Sequence, residues 1–268
     1  MKDQLQQVRR LVPASRFPAM VAAKVDTLWA DEAFRAAQEH QMRHLLEHTE
    51  RADEIPELAR KYAEAQMMRR WLRWKPHLIT HQEVRGVENV DRTRSVVLNF
   101  MHHNQYSGLF SSLDRVGIHC HLLALAEAME RTATVDIRQH MRIVTSRATV
   151  IPTTQGSKAV LAAMTPGVVM AIASDVPGQT EVEFLGQRVT GSFGAARIAT
   201  LSDSPVVVAT AVREGDSQHI QLHPPLEPSD FADPKDLLAE MLRIHGEAVL
   251  AWPEVFENPT TRFGALDG

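Results

Sequence analysis

The sequence predicts an α/β protein: a mainly parallel, mixed sheet flanked by helices, preceded by a helical N-terminal region. Three observations carry this. After His81 short β-branched runs alternate with helical segments, and that alternation predicts parallel strands covered on both faces. Before His81 the apolar residues recur at helical spacing and no strand-like run interrupts them. The composition, 44% apolar and 23% charged over 268 residues, is that of an ordinary globular chain, enough for one large domain or one domain with a helical appendage.

Residues 1–80 form the helical region, and residues 81–268 the α/β domain, as one integrated unit. Within the first, Glu57–Trp74 places Leu58, Tyr62, Ala65, Met68 and Leu72 on one flank, with Pro56 near its start and Pro76 just beyond its end. His40, His44 and His48 share a helix face, but no carboxylate or cysteine completes a coordination shell, so they read as a solvated face. Ser95–Phe100 is then a strand, Ser107–Val116 a helix, Ile118–Leu125 a strand and Val135–Ser146 a helix. Strand Arg147–Pro152, helix Ser157–Met164 and strand Val168–Ala173 follow. Val182–Gly186 and Gln187–Thr190 make a hairpin around a glycine turn. Helix Ser192–Leu201, strands Pro205–Val212 and His219–Leu222, and the amphipathic helix Pro234–Leu250 complete the chain.

Charge and cysteine usage exclude several classes. A net charge of −4 gives no footprint for nucleic acid. Residues 1–80 hold 14 Lys/Arg against 11 Asp/Glu, a slight basic excess that suits weak contact with a membrane surface. Cys120, the only cysteine, excludes an intramolecular disulfide and suits a reducing compartment. The polar start predicts no signal peptide, and the longest apolar runs, Val168–Ala173 and Pro205–Val212, fall far short of the roughly 20 residues needed to span a bilayer. The expected setting is cytoplasmic, with peripheral attachment to the inner membrane face as the variant.

The most informative chemistry lies where the first long strand ends, in Asn99-Phe-Met-His-His-Asn-Gln-Tyr-Ser-Gly108. Ligands of open α/β sheets gather at the carboxyl ends of strands, beside free helix N–H groups. A histidine there is placed to act as a general base; the plain reading is that His102 and His103 only pack. His119-Cys120-His121 contains metal-binding residue types, but strand alternation sends neighbours to opposite faces, so no metal site is expected. The absence of Gly-x-Ser-x-Gly argues against a hydrolase nucleophile elbow.

Further segments carry a family resemblance. A buried strand ends in Ser174-Asp175, then come Glu183-Phe-Leu-Gly186, Gly191-Ser-Phe-Gly-Ala-Ala-Arg-Ile-Ala199 and Asp203-Ser-Pro-Val-Val-Val208. Val87-Glu-Asn-Val90 precedes the histidine strand, and Ala251-Trp-Pro-Glu-Val-Phe256 with Arg262-Phe263 closes the chain. In this order and spacing, from about Trp74 to Phe263, the chain resembles the lysophospholipid acyltransferase superfamily, specifically its lipid A late acyltransferase and phosphatidylinositol mannoside acyltransferase branch. The family signature is a histidine with an acid after four intervening residues. Laid on this sequence, His102 is the base and Ser107 stands at the acid position, so a hydroxyl replaces a carboxylate. Asp175, Glu127 or a backbone carbonyl could orient the imidazole instead.

The resemblance implies acyl transfer from a thioester, acyl carrier protein or acyl-CoA as co-substrate, to a hydroxyl or amine of a lipid or small molecule, with no further cofactor. It implies Arg147 and Asp175 as catalytic companions of His102 and Ser107. His103, Asn104, Gln105 and Tyr106 are the expected substrate-binding positions next to the base, with Gly178, Phe184 and Arg197 further on. The alternatives are a non-catalytic acyl or acyl-carrier binder, and a thioesterase in which His102 activates water.

Overall fold

The computed structural model describes residues 8–124, 133–215 and 217–264. Three helices open it: α1 (Phe17–Trp29), α2 (Glu32–Leu46) and α3 (Ile55–Leu72). Asp31 caps α2 by accepting from the Ala33 N–H, and Pro56 sits in the first turn of α3, where its missing N–H costs nothing. Strand β1 (Glu83–Arg85), which the sequence reading lacked, precedes β2 (Val96–Phe100), α4 (Leu109–Arg115) and β3 (Cys120–Ala124). Then follow α5 (Val135–Val144), β4 (Ala148–Pro152), α6 (Gly156–Ala163) and β5 (Val169–Ala173). The hairpin β6 (Thr180–Phe184) and β7 (Gln187–Gly191) leads to α7 (Gly194–Ser202), β8 (Val206–Glu214), β9 (Ser217–Leu222) and α8 (Pro234–Ala251).

Seven strands form one sheet in the order β1-β9-β8-β2-β5-β3-β4, and β6 and β7 pair separately. The central strands β8, β2, β5, β3 and β4 are parallel, whereas β9 turns back antiparallel on β8 and carries β1 alongside it. Every residue of β2 is buried, as expected for a strand covered on both faces. The β6–β7 turn holds Leu185 at φ 52° and Gly186 at φ 75°, the left-handed pair that a tight two-residue hairpin requires.

Alternation along β2 divides the interior. Val97 and Met101 face a core shared with Met42, Leu46, Leu58 and Tyr62 of α2 and α3 and with Leu237 and Met241 of α8. Val96, Leu98 and Phe100 face the other core, with Phe110 and Leu113 of α4 and Val144 of α5. The N-terminal helices therefore contribute to the main interior of the sheet. Among the described residues no helix is long and apolar enough to cross a membrane.

Candidate active site

β2 and β5 are neighbours, paired with Phe100 opposite Ala173. Two residues beyond each strand, at the same level, stand His102 and Asp175. The His102 Nδ1 lies 2.8 Å from Asp175 Oδ1, and the His102 backbone N–H donates to Oδ2, also at 2.8 Å. Both carboxylate oxygens are thus committed to one residue. Asp175 is fully buried, and burial pushes its carboxyl up. The His102 charge and hydrogen bonds, with Arg262, outweigh that and hold it below the usual carboxylate range. An ionised carboxylate can only accept, so Nδ1 carries the proton, and in the neutral ring Nε2 presents a lone pair. No described group bonds to Nε2. The imidazole side chain keeps 17% of its surface exposed and lies edge-on to Tyr106, ring centroids 4.5 Å apart.

A buried polar layer supports this pair. Asn99 donates to the Ser174 hydroxyl at 2.6 Å and to the Ile172 carbonyl, and its Oδ1 lies 2.9 Å from Nε2 of His245 on α8. Burial pushes the His245 imidazole down to about 3, so it stays neutral and donates. The strand end carrying Asp175 is therefore tied through Asn99 to α8.

Ser107 does not reach His102. Its Oγ lies 3.3 Å from Nδ1 of His140, whose Nε2 is 3.1 Å from the Tyr106 hydroxyl, and Tyr106 donates to Glu257 at 2.7 Å. Burial pushes the His140 imidazole down to about 3, so one ring nitrogen donates and one accepts. Since Tyr106 spends its proton on Glu257, Nε2–H donates to Tyr106 and the Ser107 hydroxyl donates to Nδ1. The sequence expectation of Ser107 at the orienting position is corrected accordingly: the short side chain has another partner, and Asp175 occupies Nδ1 of His102. Glu127, the other carboxylate considered, lies outside the described residues.

Glu257 is the hub of this wall. Arg73 and Arg262 bond it at 2.9 and 2.6 Å, and Arg69 lies 3.7 Å away. Burial pushes its carboxyl up, but the three guanidiniums and the Tyr106 hydroxyl more than reverse this and hold it far below the ordinary range. Arg262 also lies 3.9 Å from Asp175, joining the hub to the His102–Asp175 pair. Glu257, His140, Arg69 and Arg73 were absent from the sequence expectations; only their convergence in space marks them.

The remaining expected residues divide. His103 donates to the Trp252 carbonyl at 2.9 Å, and burial pushes its imidazole down to about 4, so it anchors the C-terminal segment rather than a substrate. Asn104, at φ 52°, bonds Gln218 at 3.0 Å, while the buried Oε1 of Gln105 has no partner. Both line a cavity of about 500 Å³ with Arg69, Arg213 and Trp252. By contrast, the apolar slot lined by Phe100, Tyr106, Ala209 and Val249 holds about 20 Å³, room for about one water, and seats no fatty chain as it stands.

Arg147, Gly178, Phe184 and Arg197 lie elsewhere. Arg147 precedes Ala148 at the amino end of β4, and the register Ala148–Cys120–Val169–Val96 sets it at the sheet edge opposite His102. It is exposed, 3.9 Å from Asp114. Phe184 packs in the core, its ring 4.9 Å from that of Phe263. A Cβ on Gly178 would stand 2.0 Å from the Gly191 carbonyl oxygen, so that glycine permits a backbone crossing. Arg197 is exposed on α7, whose buried residues face the sheet. Among the described residues no group of three or more His, Cys, Asp or Glu is placed to hold a metal. Cys120 is buried, and burial pushes its thiol up to about 12.

No curated protein matches the chain significantly. Among solved structures, that of the 1-acyl-sn-glycerophosphate (LPA) acyltransferase PlsC from Thermotoga maritima aligns at a TM-score of 0.45 and 13% identity, over 94% of this chain and 97% of that one. The family model for bacterial lipid A biosynthesis acyltransferases matches residues 54–257, about three quarters of the chain, including β2, both residues of the His102–Asp175 pair and Glu257. The chain is an acyltransferase that belongs to the bacterial lipid A biosynthesis acyltransferase family.

Proposed function

We propose that this enzyme moves a fatty acyl group from a thioester donor to a hydroxyl or amine, with His102 as general base and Asp175 as the carboxylate that orients it. The observation that carries this is the two-point grip of buried Asp175 on His102, which places the ring proton on Nδ1 and leaves Nε2 without a partner among the described residues. In the reaction Nε2 takes the acceptor proton and the freed oxygen or nitrogen attacks the thioester carbonyl carbon. The carbon–sulfur bond then breaks, and the imidazolium returns the proton to the leaving thiolate. The carboxylate stabilises the imidazolium formed between these steps, the role a buried acid plays in a triad. The Arg69–Arg73–Arg262 cluster around Glu257 adds a positive field behind Tyr106, favourable to an oxyanion nearby. Acyl carrier protein and acyl-CoA both fit the donor role; a lipid or small molecule fits the acceptor role, and the setting is the cytoplasm or its membrane face.

Incubation with an acyl thioester and a hydroxyl-bearing lipid tests the proposal. A new ester made by wild type and lost in His102→Ala supports it. Free acid in place of ester would show hydrolysis instead, and full activity of His102→Ala would remove the base.

A further inference from the structure

We infer that the groove between α4, α5 and the 76–81 segment receives the phosphate-bearing nucleotide end of a coenzyme A thioester, so that the coenzyme is the acyl carrier. This rests on the proposed thioester chemistry and selects the donor. The groove encloses about 740 Å³, a volume suited to a coenzyme rather than to a flat protein contact. Arg10, Arg115, Arg142 and Arg147 line it from three stretches of chain, and among the described residues its only lining carboxylate is Asp114. Like charges converging this way repel one another, whereas a cleft lined mainly with one sign of charge concentrates ligands of the opposite sign. Arg115 and Arg142 form no ion pair among the described residues.

A second observation points the same way. Trp74 is 5% exposed, lines the groove, and its indole N–H is buried without an acceptor. A buried orphan donor is costly, and a ligand oxygen would satisfy it. The Arg10 guanidinium lies over the same ring, 5.1 Å from its centroid.

The direction of the groove suits a ligand charged at one end and reactive at the other. α4 and α5 both run from the carboxyl edge of the sheet to its amino edge, because each connects parallel strands. Ser107 stands at the top before α4 and bonds His140 midway along α5, which bonds Tyr106, whose ring lies 4.5 Å from that of His102. Arg115, eight residues after Ser107, lies about 12 Å lower at 1.5 Å per residue, near the level of Arg147. Ser111 and Gln139 line the path between. Phosphates seated on Arg115, Arg142 and Arg147 would leave an extended arm running up toward His102.

The test compares Arg115→Glu and Arg142→Glu with wild type, using acyl-CoA and a short acyl thioester that lacks the nucleotide. The expected result is a rise in KM for acyl-CoA of at least about tenfold at low salt, with kcat/KM for the nucleotide-free donor unchanged. Titration calorimetry should show free coenzyme A binding wild type and losing that affinity in both variants. If a glutamate variant does not fold, Arg142→Gln in the same assays replaces it. An unchanged KM for acyl-CoA, an equal loss with both donors, or an effect confined to an acyl carrier protein donor would overturn the assignment. Calorimetry needs no turnover, so coenzyme binding survives a failure of the His102 mechanism. Unchanged groove variants with intact transfer would sink the groove alone.

Discussion

Replacing Asp175 by Asn tests the orienting role most sharply, because the two carboxylate oxygens have two different donors. One accepts from Nδ1 of His102 and the other from the His102 backbone N–H, each at 2.8 Å. An amide offers only one oxygen. If that oxygen keeps the backbone N–H, the amide NH2 faces Nδ1, and the ring must carry its proton on Nε2, which can no longer act as a base. If the oxygen turns to Nδ1, a buried backbone N–H faces an NH2 and goes unsatisfied, at a cost of about 1–3 kcal/mol. The first arrangement is therefore preferred. With the imidazolium also deprived of its counter-charge, kcat should fall by about 10³–10⁴, or about 4–5 kcal/mol of barrier at 1.36 kcal/mol per tenfold. Single-turnover measurements with saturating acyl thioester isolate the chemical step, and thermal melts confirm folding. Retention of kcat within about tenfold in a folded Asp175→Asn variant would refute the orienting role.

The His140 and Glu257 wall should behave differently. Ser107→Ala removes a hydroxyl bonded to His140, not to His102, so kcat should fall by no more than about tenfold; a loss matching that of Asp175→Asn would return Ser107 to the orienting position. Glu257→Gln leaves Arg69, Arg73 and Arg262 without their common carboxylate, and chemical denaturation should show a loss of about 3–5 kcal/mol. A stability within 1 kcal/mol of wild type, to order of magnitude, would mean the cluster is hydrated rather than buried. Mild acid should destabilise the fold through its buried histidines. His103, His140 and His245 are held at about 4, 3 and 3, below the unfolded value near 6.5, so the unfolded chain binds more protons and stability drops as pH falls below about 6.5. At pH 5 each costs about 2 kcal/mol. Melting temperatures that hold constant from pH 7 to pH 5 would contradict this.

Much of the fold was legible because burial on both faces writes strands as continuous apolar runs, and the helices between them keep a different period. Val96–Phe100, Val169–Ala173 and Val206–Glu214 were each visible that way. β1 was not: Glu83–Arg85 is one exposed and two half-buried residues whose strand character depends on pairing with β9. His102 was legible from its place at a strand end. Asp175 was one of three groups offered to orient it; which of the three does so was not legible, because the contact depends on β2 and β5 being neighbours in register, which sequence order does not state. Ser107 misled for the same reason: spacing predicted proximity to the imidazole, and His140, 33 residues on, was nearer. Arg147 shows the limit of carrying a role over by resemblance, since a residue just before a parallel strand and one just after lie at opposite edges of the sheet. Phe184 belongs to an aromatic turn that packs inward, where motif position and core position coincide. The Glu257 cluster joins residues more than 180 apart, and no local pattern announces it.

The tautomer of the His102 ring is the most direct test of the account. Nitrogen-15 NMR of imidazole-labelled enzyme at neutral pH, with His102→Gln to assign the signal, reads it without any substrate. The account predicts a proton on Nδ1 and a bare Nε2 in wild type, with the pattern reversed in Asp175→Asn. A His102 ring protonated at Nε2 in the wild-type enzyme would contradict it.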